Sequence, residues 1–217
     1  MFTMNSPSYL IFLLVATMVL SFQCAFAQDK GVIDAQRPTL TESFSIVKLD
    51  IVQFETGVDF FTDPKSTSLA TFVRGSVSDR VELRVASDFS SLNFAGLKFV
   101  VLTPENNLLK VGASMLYSRL LLDQGNDFRL AFTRSFDRLF FTYNVGYETQ
   151  FYNILLAGYP LTKKLNCFVE YYNEPMHHQV HSGVIYILGK DCQFDLNGGW
   201  IDSKTWYFGT GFSFRIR

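Results

Sequence analysis

The last twelve residues, Trp206-Tyr207-Phe208-Gly209-Thr210-Gly211-Phe212-Ser213-Phe214-Arg215-Ile216-Arg217, alternate without a break. Trp206, Phe208, Thr210, Phe212, Phe214 and Ile216 fall on one side of a period of two. Tyr207, Gly209, Gly211, Ser213 and Arg215 fall on the other. A period of two is the signature of a strand, whose successive side chains point to opposite faces. The same pattern recurs upstream. Phe194, Leu196, Gly198 and Trp200 alternate with Asp195, Asn197 and Gly199; Cys167, Val169 and Tyr171 flank Phe168 and Glu170; Leu139 to Tyr147 alternate on the odd numbers. Phe128, Leu130 and Phe132 flank Arg129 and Ala131, and Leu109, Val111, Ala113, Met115 and Tyr117 alternate with Lys110, Gly112 and Ser114. Val81, Leu83 and Val85 alternate with Arg80, Glu82, Arg84 and Ala86, and Val52 to Phe60 alternate on the even numbers. Weaker segments near 68–77, 93–102, 151–161 and 180–188 bring the expectation to about 12 strands.

The connections fall into two sets. Ser78–Arg80, Pro104–Asn107, Phe136–Arg138, Thr162–Lys164 and Gly189–Asp191 form one; Thr62–Thr67, Phe89–Leu92, Ser118–Asp127, Glu148–Phe151, Asn173–Gln179 and Asp202–Lys204 form the other. Up-and-down connectivity places the sets at opposite ends of an antiparallel sheet. Composition agrees with an all-β chain: aromatics are 16%, with 23 Phe and 10 Tyr, and aromatic residues favour strands. Charged residues are 18% and the formal net charge is −1, which argues against a nucleic-acid partner.

The alternation leaves open which face meets water. A soluble barrel turns its apolar face inward, whereas a membrane barrel turns it outward, with aromatic girdles and a polar lumen. The non-apolar faces here carry Gly, Asn and charges of both signs. The final strand carries Tyr207-x-Gly209-x-x-Phe212-x-Phe214, which resembles the terminal strand signal read when outer-membrane barrels are assembled. Arg215-Ile216-Arg217 follow the usual final aromatic. The expected fold is therefore an all-β, transmembrane up-and-down antiparallel barrel.

Residues 1–27 contain no charged side chain. An apolar run from Tyr9 to Leu20 precedes the small-x-small triplet Ala25-Phe26-Ala27, the layout of a cleaved secretory signal peptide. The expected organisation is a signal peptide over 1–27, a periplasmic N-terminal segment over 28–48 and a barrel over 49–217, in the outer membrane of a Gram-negative cell.

The chain from about Ile33 onward resembles the bacterial outer-membrane β-barrel transporter family labelled for the MetA pathway of phenol degradation, in its short Bacteroidetes-like form. The matching residues are Arg37-Pro38 with Thr41-Glu42-Ser43, Gln53 to Gly57, Arg74 to Arg84, Gly96-Leu97-Lys98, Phe168 to Tyr171, His181-Ser182 and Phe208-x-Thr210-Gly211-Phe212-Ser213-Phe214. The resemblance implies a barrel that passes small solutes, hydrophobic or aromatic ones included.

The residues expected to line the lumen are Glu55, Asp59, Arg74, Arg80, Glu82, Arg84, Asp88, Lys98, Lys110, Arg129, Glu148, Glu170 and Asp195. They would pair with one another or select solutes, as charged rings do in pores. A closed sheet of about 12 strands has a backbone diameter of roughly 24 Å. Long side chains such as Arg84 and Arg129 would narrow it to a slim or occluded channel. Tyr207, Gly209, Phe212 and Phe214 are the expected assembly signal.

His177, His178 and His181 with Glu174 are weighed as metal ligands and read as solvated residues of a hairpin tip. His181 and Ser182 are adjacent, so on a strand they face apart and form no nucleophile–base dyad. Cys167 and Cys192 lie on apolar faces two strands apart, too far for a bridge. The reading assigns no catalytic residue, metal or cofactor. Its partners are outer-membrane lipid, the barrel-assembly machinery and a small solute; the alternatives are a non-conducting structural barrel and a lipid-modifying enzyme.

Overall fold

The computed structural model describes residues 33–122 and 124–217. The proposed leader therefore lies outside the described residues. Among the described residues the strands are β1 (Val52–Thr62), β2 (Lys65–Ser78), β3 (Val81–Ser87), β4 (Leu92–Leu102), β5 (Val111–Leu120) and β6 (Asn126–Phe136). They continue with β7 (Leu139–Tyr147), β8 (Phe151–Pro160), β9 (Leu165–Glu174), β10 (His177–Ile187), β11 (Cys192–Ile201) and β12 (Thr205–Ile216). Each strand pairs antiparallel with its neighbours in sequence, and β12 pairs antiparallel with β1, closing a 12-stranded barrel. The seam runs from Val52 opposite Ile216 to Phe61 opposite Tyr207.

We call the rim holding the start of β1 and the end of β12 proximal and the opposite rim distal. The two sets of connections fall on these two rims. The distal loops are shorter than their sequence suggests: Asp63-Pro64 alone joins β1 to β2, and Pro175-Met176 joins β9 to β10.

The outward face is apolar on every strand. Phe60, Phe128, Phe151, Trp206 and Phe208 are about half exposed or more. Aromatic pairs gather at both ends of this band. Trp200–Trp206, Tyr117–Phe128 and Tyr147–Phe151 lie near the distal rim, and Phe54–Phe214 and Phe136–Phe141 near the proximal rim. Such a wall is stable against lipid hydrocarbon, where a closed barrel leaves no backbone group unpaired. Cys167 and Cys192 lie on this outer face.

The inward face is polar with one apolar arc. Ala131, Ile154, Leu156 and Phe168 are buried inside the barrel on β6, β8 and β9. This explains the weak alternation near 151–161. On β8, Ile154 and Leu156 pack inward while Phe151 and Leu155 face out, so both faces are apolar.

The segment expected to be periplasmic, 28–48, is placed elsewhere by its described part. From Ile33 to Ile51 the chain is a re-entrant loop inside the barrel. It enters at the proximal rim, where the Ile33 amide donates to the Lys190 carbonyl at 2.9 Å. It turns at Gln36–Thr39, with the Thr39 amide on the Gln36 carbonyl at 2.9 Å. It then descends to exposed Lys48–Asp50 and runs into β1. The physical reason is pairing: the wall carries buried carboxylates and amides whose partners are supplied by this loop.

Candidate functional site

The site is the contact between the loop and the lumen wall. Gln53, Glu55, Arg74, Glu82, Arg84, Lys98, Asn144, Glu170, Gln193 and Asp195 are all buried at positions that alternate inward. A buried charge is stable only when paired and hydrogen-bonded, and the loop completes that pairing.

One chain of charges crosses β1 to β4. Arg74 Nε lies 3.0 Å from Glu55 Oε1, and Arg74 Nη1 lies 3.8 Å from Glu82 Oε1. Arg84 Nε lies 3.3 Å from Glu82 Oε1, and Arg84 Nη2 lies 2.5 Å from Glu42 Oε1 of the loop. Lys98 Nζ approaches the other oxygen of Glu42 at 3.4 Å. Arg74 and Arg84 are direct cross-strand partners, an arrangement that repels unless acids intervene. Glu82 and Glu55 are those acids, and Glu42 caps the basic end.

Arg37, at the turn of the loop, faces the other side of the bore. Its Nη2 lies 3.5 Å from Asp59 Oδ1, 3.8 Å from Asp195 Oδ1 and 3.3 Å from the Thr210 carbonyl. Gly57 and Gly211 are paired across the seam, and a Cβ on either would fall within 2.3 Å of the Arg37 guanidinium. A Cβ at Gly209 would fall 2.0 Å from Asp59 Oδ1. Gly57 and Gly211 make room for a side chain that comes from outside the sheet, and Gly209 for the carboxylate that holds it.

Most of the remaining wall contacts read the loop backbone, the Phe44 ring against Gly112 being an exception. Glu55 Oε2 accepts the Arg37 amide at 2.7 Å, and Gln193 Nε2 donates to the Arg37 carbonyl at 3.2 Å. The two oxygens of Glu170 accept the Leu40 and Thr41 amides at 3.0 and 2.8 Å, and the Thr41 hydroxyl also donates to Glu170. Arg129 Nη1 donates to the Leu40 carbonyl at 2.8 Å. Asn144 accepts the Glu42 amide at 2.7 Å and donates to the Glu42 carbonyl at 2.8 Å. Ser114 bonds the Ser43 carbonyl at 3.2 Å and Glu82 Oε2 accepts the Val47 amide at 2.7 Å.

Glu55, Asp59, Arg74, Glu82, Arg84, Lys98, Arg129, Glu170 and Asp195 thus occupy the lumen as expected from their parity. Four expected lumen residues do not. Arg80 is exposed in the Asp79-Arg80 turn, where β2 has already ended beside a register shift between Ser76 and Ser78. Asp88 closes the β3–β4 turn, accepting the Ser90 and Ser91 amides at 2.9 and 2.8 Å and the Ser90 hydroxyl at 2.6 Å. These bonds, the Ser90 hydroxyl first, hold its carboxyl down to about 2. Lys110 has a φ of 51° and precedes β5, which begins at Val111. Glu148 lies exposed in the β7–β8 loop at the distal mouth.

Of the terminal signal, Phe212 and Phe214 face outward and Tyr207 and Gly209 inward. Phe214 stacks on Phe54 across the seam with centroids 5.1 Å apart. Tyr207 accepts from Gln179 Nε2 at 2.9 Å.

The histidines do not converge, and His181 is not at a hairpin tip. It is buried in the lumen, with Nδ1 3.2 Å from Glu170 Oε1. His177 sits at the distal rim, 2.8 Å from Asp202, and His178 stacks on Tyr171 outside. Ser182 faces away from His181.

Sequence reasoning missed the loop residues as wall partners, together with Asn144, Gln193, Asp127 and Tyr152. Tyr152 donates to Asp127 at 2.5 Å and accepts from Arg129 Nε at 2.7 Å. Uncharged amides give no charge pattern to follow, and Asp127 lies at the end of a stretch read as loop.

Two distal spaces flank the loop. One, of about 400 Å³, lies between the loop and β2–β6, lined by Phe72, Phe94, Leu116 and Leu120 together with Arg84, Asp127, Arg129 and Glu148. The other, of about 270 Å³, lies beside Asp59, His181, Asn197 and Tyr207.

No protein-family model matches the chain, and no curated protein matches it by sequence. Solved structures do match. The barrel is similar to the KdgM porin at 9% identity and a TM-score of 0.57, covering 76% of this chain and 99% of that one. It is similar to a KdgM porin in complex with disordered oligogalacturonate at 10% identity and a TM-score of 0.58, over 76% and 99% of the two chains. The NanC porin matches at 8% identity and a TM-score of 0.56, over 75% of this chain and all of that one. At such identities the likeness is one of fold, and the fold is that of outer-membrane porin barrels.

Proposed function

We propose that the protein is an outer-membrane channel of the porin type, held shut in this state by its own residues 33–51. The observation that carries the reading is the nature of the loop's attachment. It is held by ion pairs and backbone hydrogen bonds rather than by a broad apolar interface, and its buried apolar residues are confined to its ends and lower limb, at Ile33, Val47 and Ile51. Polar contacts exchange with water at modest net cost, so such a loop can leave a bore already lined for water. Behind it stands a bore with Arg74, Arg84, Lys98 and Arg129 on the β2–β6 side, and with Glu170, Asp195, Glu55 and Asp59 on the β9–β1 side.

The solute is small. The larger distal space is lined by aromatic and aliphatic side chains interleaved with charged ones, which suits a solute with an apolar body and a polar group. This agrees with what the resemblance to the phenol-degradation transporter family implies. The chain reaches the outer membrane by a cleaved leader and the barrel-assembly machinery, which reads β12, and it performs no catalysis. Thr41, Glu170 and His181 lie in that order, so the imidazole is not placed between hydroxyl and carboxylate as nucleophilic catalysis requires.

Planar-bilayer recording tests the reading. The native chain should be closed with rare openings. A form with residues 34–47 replaced by a Gly/Ser linker of equal length should conduct steadily. If that form is folded and still silent, the barrel is a non-conducting structural element.

A further inference from the structure

We propose that the lumen is a binding site for oligopeptides, and that residues 34–47 are its resident occupant. The inference rests on the reading of the barrel as a shut channel, because an occupant in trans reaches the wall only after the loop has left.

The wall treats the loop as a peptide ligand. Asn144 pairs with both the amide and the carbonyl of Glu42, at 2.7 and 2.8 Å, as a neighbouring strand would. Glu170 takes two successive amides, Leu40 and Thr41, with its two oxygens. Glu55 and Gln193 take the amide and carbonyl of Arg37. None of these contacts depends on the occupant's side chains. The reading groups are side chains of the wall strands β9 and β7, and the docked loop covers them, Glu170 to 1% exposure and Asn144 to 0%.

Selectivity comes from two pockets of opposite sign. Arg84 and Lys98 hold the acidic side chain at 42, and Asp59 and Asp195 hold the basic one at 37. The seam glycines leave the second pocket wide enough for a guanidinium. The ligand class is therefore a short peptide with a basic residue followed five positions later by an acidic one. Sugars and simple aromatic solutes offer no series of alternating amide donors and carbonyl acceptors to match this wall.

The test keeps the whole chain. A protease site is placed in the exposed Lys48–Asp50 turn, and the refolded protein is cut in detergent so that the loop is no longer tethered to β1. The probe is a fluorescent synthetic peptide of residues 33–48, read by anisotropy. The control peptide has the same composition with the residues at 37 and 42 interchanged. Tight exchange of the native peptide is expected, with the interchanged peptide at least tenfold weaker. Asn144→Ala should weaken the native peptide by about tenfold. If cutting unfolds the barrel, the Gly/Ser-linker form receives the same peptides. Equal binding of the two peptides, or none to a folded barrel with an emptied lumen, overturns the proposal. Current through the same samples separates the two readings. Conductance without peptide block sinks the peptide site alone, and peptide binding to a barrel that never conducts sinks the channel alone.

Discussion

Glu42→Ala is the sharpest perturbation the structure offers. Glu42 is the only loop carboxylate between Arg84 at 2.5 Å and Lys98 at 3.4 Å, and both cations are almost fully buried. Removing one partner of a buried pair costs about 3–5 kcal/mol, because the other charge stays desolvated. Arg84 retains Glu82 at 3.3 Å, so the lower end applies, about 3 kcal/mol. The cost falls on the docked loop alone, since water reaches the wall once the loop has left. At about 1.4 kcal/mol per factor of ten, the ratio of open to shut channels rises roughly a hundredfold. The assay is open probability in single-channel records, with proteolysis of the loop in the refolded barrel as an independent readout. Glu42→Gln should lie between the native chain and Glu42→Ala, as its single amide oxygen still accepts from one of the two cations while the charge is lost. Glu42→Ala combined with Lys98→Met should recover part of the closure, because no cation is then left stranded at position 98. An open probability unchanged by Glu42→Ala, with the barrel folded, would refute the claim that this ion pair holds the loop.

Three further outcomes are expected. Gly211→Val should push the Arg37 guanidinium from its cradle and raise loop proteolysis severalfold, whereas Gly189→Ala, with open space around it, should do nothing. Replacing both Phe212 and Phe214 by Ala should lower the amount of protein in the outer membrane while leaving transit of the inner membrane intact, as cell fractionation would show. The β3–β4 turn should resist acid: the Asp88 carboxyl is depressed to about 2 against about 3.9 unfolded. Its contribution is complete above about 4 and is lost only as pH falls through about 2. Amide exchange at Ser90 and Ser91 should therefore stay slow at pH 4 and become fast there in Asp88→Ala.

Most strands were legible because a strand with one polar and one apolar face must alternate, and the wall obeys that rule except on β8, apolar on both faces, and at the bulges of β2–β5. Legibility fails where alternation stops meaning anything. Lys110 and Arg80 continue the parity of their strands, but the chain has already turned, and a turn has no faces. The loop was invisible for a deeper reason. Residues 33–51 have no period, and their partners lie up to 173 residues away, as Arg37 and Thr210 do. One trace was present: Glu170 faces Leu156 on β8 and His181 on β10, so neither strand beside it supplies a permanent cation. Gly57 is the other trace, a small residue on an inward face whose space is taken only by Arg37 of the loop.

Arg37 touches β1 through Asp59 and its own amide on Glu55, β11 through Asp195, and β12 through Thr210. These are the elements that meet last in a chain made from its N-terminus, and joining ends so far apart in sequence is the slow part of forming a closed sheet. The loop precedes β1 directly, so it is at hand while the seam is still open. It can serve as a mandrel on which the first and last strands are wrapped and then stitched. Its two ends share one rim, so the wrapped barrel needs no threading to admit it and no threading to release it. Loss of residues 33–48 should consequently slow refolding to the heat-resistant closed form more than it speeds unfolding, a difference that the two rates, measured separately, would reveal.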